Sequence, residues 1–248
     1  MFLTVKPSPR LAPFVDFLWF DATHVAHTTE TVLPSSRVQI LVGLSAETDA
    51  LLAPVVAGPR TRPATIATAP MRRIAGAVLL PGAAAELLGV SARALTEHDV
   101  PLAELWDDAE ALWAALVGSD SPTSALETFD AALAKHAETP PSRLVRFATA
   151  QLDAGATVRA TIDATGRSRS SVVRAFDRHV GLTPKRYARL GRFSRAVERV
   201  AANEDLAEVA LACGFADQAH LCHEFRRFAE RSPTAYRPRD EHAPNHVR

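Results

Sequence analysis

Arginine side chains are concentrated in the second part of the chain, where their chemistry suits the binding of phosphate. Residues 141–240 contain 18 basic residues, 17 of them arginine, against 11 acidic residues. Residues 1–140 contain 9 basic and 16 acidic residues, so the net charges of the two parts are +7 and −7. A guanidinium donates paired hydrogen bonds to phosphate or to a guanine edge. The asymmetry predicts a polyanion-binding part joined to a part of another kind, with a solvated basic face as the alternative.

Residue types that could bind a metal or catalyse a reaction are present, but their spacing does not match a metal site or an active site. Cys213, His220, Cys222 and His223 have the composition of a metal site. His220 and Cys222 lie about 200° apart around a predicted helix, so we expect neither a metal nor a cofactor. Gly43–Glu47 begins like the nucleophile elbow of a hydrolase but lacks the final glycine. The sequence has no phosphate-binding loop or dinucleotide fingerprint, and its first half has no cysteine to accept a methyl group, so it predicts no enzyme.

The basic part of the chain has the start and stop signals of short helices. Gly166, Gly181 and Gly214 interrupt the helical pattern, and Pro184 opens its longest helix, which ends near Ala202. Six side chains are placed to cap helix N-termini: Ser142, Thr157, Ser168, Thr183, Asp205 and Asp217. A short helix, a glycine turn and a capped second helix thus occur twice, which predicts two helix-turn-helix units.

The long helix sets the distance between the two capped second helices. About 19 residues at a rise of about 1.5 Å span close to 28 Å. With the flanking turns, this approaches the roughly 34 Å of one duplex turn, so both second helices fit successive major grooves on one side of DNA. We expect Val172 and Phe176 of the first of these helices, and Leu221 and Phe225 of the second, to pack inward.

The first part of the chain has the pattern of a small sheet followed by helices. Short β-favouring runs alternate with proline and glycine turns to about residue 80, which predicts a mostly antiparallel sheet or partial barrel. Both faces of Phe14–Phe20 are apolar, so we expect this strand to be buried on two sides. Helical patterns follow over about 83–137, one of them beginning at Asp107 and Asp108 with Ala111, Leu112, Ala115 and Leu116 on its apolar face.

The predicted fold class is therefore an α+β part followed by an all-α part, in which a long helix joins the two helix-turn-helix units. The expected boundaries are an α+β domain at 1–138, a linker at 139–141, a DNA-binding domain at 142–240 and a polar tail at 241–248.

Several strings in the second part follow one family pattern. Gly214 and Phe215 form a turn, Asp217 is a cap, and Pro233, Tyr236 and Arg237 close the segment in the expected order and spacing. The first unit has corresponding strings at 168–176, 181–187 and 192–196. By these motifs, residues 142–240 resemble the bipartite helix-turn-helix domain of AraC/XylS-type transcriptional regulators.

The resemblance and the expected outward faces together imply which residues contact DNA. The base-contacting candidates are Arg169, Ser170, Val173 and Arg174 on the first recognition helix, and Gln218, Ala219, Cys222 and His223 on the second. Where many relatives have arginine or threonine, this chain has Cys222 and His223, so we expect weaker or less selective contacts from the second helix. The phosphate-contacting candidates are Lys185, Arg186, Arg189, Arg227 and Arg231.

The first part resembles the N-terminal domain of an uncharacterised branch of AraC-like regulators, through residues 32–42, 57–59, 80–84 and 87–95. In the wider family, such domains sense small molecules and dimerise, often through a cupin-like sheet, so the resemblance implies a sensing or dimerisation domain at 1–138. The candidate effector-binding residues are Phe17, Trp19, Arg37 and Gln39, which we expect on adjacent strands. The same residue types also occur in any buried strand.

The whole sequence predicts a bacterial, cytoplasmic transcription factor that binds double-stranded DNA. The N-terminus lacks a signal-peptide pattern and no apolar run approaches the roughly 20 residues of a membrane span, so we expect no membrane contact. The resemblance allows a small-molecule effector, RNA polymerase and a second copy of the chain as further partners. The alternative is a ligand-binding or adaptor protein whose helical part contacts protein partners instead of DNA.

Overall fold

The structure is a computed structural model, and it describes residues 1–22, 29–45, 51–67, 71–110, 112, 119, 121–236, 238, 246 and 247. Its strands are β1 Phe2–Val5, β2 Val15–Asp21, β3 Thr29–Val32, β4 Gln39–Ser45, β5 Leu51–Ala57, β6 Ala64–Ala67, β7 Met71–Leu79, β8 Asp99–Pro101 and β9 His246–Val247. They form a six-stranded sheet in the order β1-β2-β7-β4-β5-β8 and a three-stranded sheet in the order β6-β3-β9. All their pairings are antiparallel, which confirms the predicted sheet type.

Two short strands lie outside the region that the sequence assigned to the sheet. Strand β8 falls among the predicted helices, where Val100 pairs with Val56. Strand β9 falls in the predicted polar tail, where Val247 pairs with Thr31. Segments of two or three residues are too short to show the two-residue periodicity of a strand. Their pairing is set by partners that are remote in the sequence.

The first part of the chain also contains the helices α1 Ala84–Leu88, α2 Ala92–Leu95 and α3 Pro122–His136, with a 3-10 turn at Leu102–Glu104. Leu18 and Phe20 of β2 share a buried core with Leu87 and Phe129 of these helices. Of the helix predicted to begin at Asp107, the structure describes only residues 109, 110 and 112 beyond its start, and all three are helical. Its other apolar positions, Ala111, Ala115 and Leu116, lie outside the described residues.

Strand β2 is buried on one face rather than on both. Phe17 and Trp19 point to the opposite side from Leu18 and Phe20 and are half-buried. The expectation that Phe14–Phe20 is buried on two sides is therefore wrong for the face carrying Phe17 and Trp19. The helices pack on the other face, so an apolar pattern on both faces does not by itself determine how completely each is covered.

The second part of the chain is helical, with α4 Arg143–Asp153, α5 Val158–Ala164, α6 Arg169–Val180, α7 Pro184–Ala201, α8 Leu206–Ala212 and α9 Gln218–Ala229, and a 3-10 turn at Pro233–Ala235. Every predicted N-cap side chain accepts a hydrogen bond from the first turn of its helix: Ser142, Thr157, Ser168, Thr183, Asp205 and Asp217. Helices α5–α6 and α8–α9 form the two helix-turn-helix units. No helix in the described part of the chain has the length and apolar character needed to cross a membrane.

Aromatic rings form the centre of the helical core. Phe176 meets Tyr187 edge to face at 5.8 Å between ring centroids, and Phe193 meets Phe225 at 5.4 Å. Leu33, which follows β3, and Val247 of β9 are buried in the same cluster. The helical core is thus closed partly by residues from outside the helices.

Candidate nucleic-acid interface

The first candidate reading surface is the outer face of α6. Ser168 caps the helix by accepting a hydrogen bond from the Ser171 N–H. Val172 and Phe176 are fully buried, as expected from their spacing of four residues. The four predicted base-contacting residues lie toward the other side, with Val173 half-buried and the rest exposed: Arg169, Ser170, Val173 and Arg174. Burial therefore divides this helix into a packed face and an open face.

The second candidate reading surface is the outer face of α9. The Asp217 carboxylate accepts a hydrogen bond of 2.7 Å from the His220 N–H and caps this helix. Leu221 and Phe225 are fully buried, which confirms their predicted orientation. Cys222 is half-buried and the other predicted contacts on this helix are exposed: Gln218, Ala219 and His223.

His220 has a local role in the second unit that the sequence did not suggest. The Ala216 N–H donates to its Nδ1 at 3.2 Å, and its ring lies edge to face with Phe215 at 5.4 Å. The imidazole thus holds the turn before α9 rather than facing outward. Cys213 is buried, and burial raises the pKa of its thiol. Within the described ranges, no three His, Cys, Asp or Glu side chains are grouped so that they could hold a metal ion.

Helix α7 joins the two units and contacts both. Its 18 residues span about 27 Å. Near its start, the Tyr187 hydroxyl donates a hydrogen bond of 2.8 Å to Asp153 at the end of α4. Burial raises the pKa of Asp153, and burial together with the neighbouring Asp153 charge raises the pKa of Tyr187. This hydrogen bond fixes the start of α7 against α4, the helix that precedes the first unit.

Arg189 of α7 is held by a carboxylate of the second recognition helix. Its guanidinium forms two hydrogen bonds with Glu224, one of them 2.6 Å long between Nε and Oε2. Glu224 is buried, and the hydrogen bonds from Arg189 lower the pKa of its carboxyl. Arg189 also lies over the ring of Phe228, at 5.4 Å from its centroid.

The predicted phosphate-contacting residues therefore differ in their surroundings. Lys185, Arg186 and Arg227 are exposed, and Arg231 is half-buried. Arg189 is also half-buried, and its Nε and Nη2 atoms donate to Glu224. The pairing escaped sequence reasoning because 35 residues separate the partners. A signal was nevertheless present, since Glu224 lies on the same helical stripe as Leu221 and Phe225, where a carboxylate needs a partner.

The candidate effector residues of the first part do not form one cluster on adjacent strands. Strand β7 lies between β2 and β4, so the expectation of adjacency is wrong. Phe17 and Gln39 both pair with Val78 of β7 and share one sheet face. Trp19 packs on Gly76, where a Cβ would lie 2.4 Å from the indole ring. Phe17, Trp19 and Gln39 therefore line a half-buried face whose central strand leaves space for the indole.

Arg37 lies before β4 and forms an ion pair with Asp16, so it is not part of the face that carries Phe17, Trp19 and Gln39. Its guanidinium is 3.3 Å from the Asp16 carboxylate. It also contributes to the electrostatic environment of Asp153, where its charge opposes the rise in pKa. Arg37 thus faces the boundary with the helical part. Residues 46 and 47 of the elbow-like string Gly43–Glu47, and Arg237 of the closing family motif, lie outside the described residues.

Two family models match separate parts of the chain. The family model described as a helix-turn-helix domain matches residues 162–239. A second model, described as a domain of unknown function (DUF6597), matches residues 3–101. The chain thus matches a model of an uncharacterised domain in its first part and a helix-turn-helix model in its helical part.

Solved structures of ToxT from Vibrio cholerae resemble the chain over most of its length. A 1.65 Å structure of ToxT is 10% identical, with a TM-score of 0.44 over 94% of this chain and 96% of that chain. The structure of ToxT bound to an unsaturated fatty acid is 11% identical, with a TM-score of 0.43 over 94% and 93%. No curated protein sequence matches the chain.

Proposed function

We propose that this chain is a sequence-specific, DNA-binding transcriptional regulator of the bacterial cytoplasm, and that it acts by binding rather than by catalysis. The observation that carries the proposal is the repeated unit: α6 and α9 are each capped, buried on one face and open on the other. Helix α7 spans about 27 Å, which together with its flanking turns approaches the roughly 34 Å of one duplex turn. This arrangement suits two recognition helices in successive major grooves.

The proposed contacts follow from side-chain chemistry and exposure. Arg174 donates to the O6 and N7 atoms of guanine, Gln218 suits adenine, and Val173 suits a thymine methyl. Arg169, Ser170, Ala219, Cys222 and His223 complete the base-facing surfaces. Lys185, Arg186, Arg227 and Arg231 contact phosphate, and Arg189 positions α9 through Glu224.

Selection of binding sites from a random DNA pool with the full chain tests this function. We expect a motif of two half-sites centred about 10 base pairs apart, because the two helices meet successive grooves. We also expect affinity to fall by about 10³ between 50 and 200 mM salt, since phosphate contacts release counterions. Failure to enrich any motif, with little salt dependence, would instead support an adaptor whose helical part binds protein.

A control variant separates specific contacts from net charge. Arg60 lies in the first part of the chain, where it pairs with Asp99 at 2.7 Å. Arg60→Ala removes the same charge as Arg174→Ala but is remote in sequence from both helix-turn-helix units. We expect the selected motif to be unchanged for Arg60→Ala and altered at one base position for Arg174→Ala.

The half-buried sheet face supports a proposal for the first part of the chain. Phe17, Trp19 and Gln39 offer two aromatic surfaces and one amide, a combination that suits a small apolar or aromatic effector with one polar group. Thermal denaturation against a metabolite panel tests this role. A ligand that stabilises the chain should lose its effect in Trp19→Phe combined with Gln39→Ala but not in Trp106→Phe. Equal responses of both variants would exclude this face.

A further inference from the structure

Two hydroxyl groups from the first part of the chain bind the C-terminal end of the first recognition helix. The Ser91 hydroxyl donates to the Arg178 carbonyl at 3.1 Å. The Thr96 hydroxyl shares its single proton between two carbonyls, that of Gly181 at 2.9 Å and that of Ala92 in its own helix at 3.1 Å. Carbonyls at the end of a helix have no partner within it, so these side chains satisfy groups that the helix leaves open. The segment α1–α2 therefore caps α6 from outside the helical part.

Two further side-chain pairs lie beside these hydrogen bonds. Arg93 Nη1 is 3.2 Å from the Asp177 carboxylate, and Glu86 Oε1 is 3.0 Å from His179 Nδ1. Asp177 follows Ser170 by about two helical turns and so lies on the same side of α6. Because an acidic side chain there would repel phosphate, Arg93 offsets a charge that opposes DNA binding. The exposed Arg93–Asp177 pair is a minor part of the contact.

The backbone at Gly181 lies so close to α2 that there is no room for a side chain. Gly181 has a φ of 77°, and a Cβ at this position would lie 2.5 Å from the Ala92 carbonyl oxygen and 2.4 Å from the Thr96 hydroxyl. Gly155 also has a positive φ, of 89°, but a Cβ there would meet no atom within 4 Å. The two glycines thus share the backbone requirement, and only Gly181 adds a close approach to α2.

We propose that Ser91 and Thr96 are positioning residues for DNA reading, through which the first part of the chain holds the first recognition helix by its C-terminal end. The contacts lie at residues 177–181, whereas the proposed base-facing residues lie at 169–174 and remain open. The arrangement therefore orients the helix without covering its reading face. This inference rests on the proposed DNA-binding function and adds to it a second part of the chain that sets the reading geometry.

Site selection and affinity measurements with the full chain test the inference. Thr96→Val removes the hydroxyl at similar volume, and we expect about threefold to tenfold weaker binding. The lost base preference should be confined to the half-site read by Arg174, because only α6 is held by these contacts. Thr96→Ser keeps a hydroxyl and should restore both affinity and preference. Ser91→Asp keeps a capping acceptor but cannot donate to Arg178, so it should repeat the effect of Thr96→Val.

The glycine pair controls for backbone strain. Gly181→Ala and Gly155→Ala both place a side chain at a positive φ, but only Gly181→Ala also pushes against α2. We expect both variants to lower thermal stability and only Gly181→Ala to weaken the preference at the first half-site. This comparison does not depend on whether Thr96→Val folds.

Three results would overturn the inference while leaving the proposed function intact. The first is an unchanged base preference and affinity in Thr96→Val and Ser91→Asp. The second is an equal loss of base preference at both half-sites. The third is tighter DNA binding by these variants than by wild type, which would make the contact inhibitory. Failure of the wild-type chain to select a two-part motif would instead count against the proposed function itself.

Discussion

Arginines of the helical part carry the same charge but have different proposed roles in DNA binding. Both Arg174 on α6 and Arg227 on α9 are exposed. Arg174 is a predicted base contact, and Arg227 is a predicted phosphate contact. The first is placed to read a base and the second to neutralise the DNA backbone, and these tasks have separate thermodynamic signatures.

Alanine substitutions distinguish the two tasks. Arg174→Ala should cost about 1 to 3 kcal/mol at the selected site and relax preference at one base position. Arg227→Ala should weaken binding to all sequences alike and reduce the salt slope by about 1. Titrations at several salt concentrations with matched and mismatched duplexes measure both effects. If the two variants lost affinity in the same way for all duplexes, the assignment of Arg174 to a base would fail.

The roles that could be predicted best are those of residues whose partners lie nearby in the sequence. The caps Ser168 and Asp217 act on N–H groups within three residues, so local sequence is enough to predict them. Inward packing of Phe176 and Phe225 follows equally from helical spacing. The Arg189–Glu224 pair and the contact of Ser91 with Arg178 join residues 35 and 87 positions apart, and no local pattern determines those distances.

At the scale of elements, the junction between α7 and α9 depends on the ion pair between the half-buried Arg189 and the buried Glu224. Hydrogen bonds from Arg189 lower the pKa of Glu224 below its usual value of 4.5. A carboxylate with a lowered pKa in the folded state stabilises the fold above its unfolded pKa, and this contribution is lost as pH falls through the folded value.

Glu224→Gln tests this junction through the pH dependence of stability. The variant should be less stable than wild type by about 1 to 3 kcal/mol near neutral pH, because it loses a charged hydrogen-bond acceptor for Arg189. The difference should shrink as pH falls below about 4.5, where wild type loses the same contribution. Urea denaturation between pH 3 and pH 7 measures it, with the exposed Glu198→Gln as control. A difference that stays constant across this range would contradict an ionised Glu224.

Secondary structure was predictable to the extent that each element is long enough to show a period. The 18 residues of α7 display their period clearly. Strands β8 and β9 do not, and their assignment requires knowledge of β5 and β3. The face of β2 that carries Phe17 and Trp19 shows a further limit, since an apolar pattern does not reveal which face the helices cover.

For the whole molecule, the linker between the two parts is mostly exposed, whereas the non-covalent contacts between them are partly buried. Residues 138–140 are exposed, whereas Pro141 is buried. Around this junction, α1–α2 contact α6, and Leu33 is buried in the core of the helical part. The covalent link is accessible while the non-covalent contacts are extensive.

Limited proteolysis should therefore cut near Thr139–Ser142 without separating the parts. We expect two fragments on a denaturing gel but a single species by native sedimentation, because the α1–α2 and Leu33 contacts persist after cleavage. The mass of that species also reports whether the intact chain pairs with a second copy. Separation of the fragments without denaturant would contradict the contacts between the parts.

The pairing of β9 with β3 has a consequence for the order in which the molecule is made. Glu30 is almost fully buried, and its carboxylate meets His246 at 2.7 Å, across 216 positions of sequence. At about 5 to 20 residues per second, a ribosome that has just made β3 needs roughly 10 to 40 s more to reach Val247. The three-stranded sheet is therefore completed after the six-stranded sheet and both helix-turn-helix units have been synthesised. Until then, the Glu30 carboxylate lacks its His246 partner, and the last strand to be translated is the one that completes the three-stranded sheet.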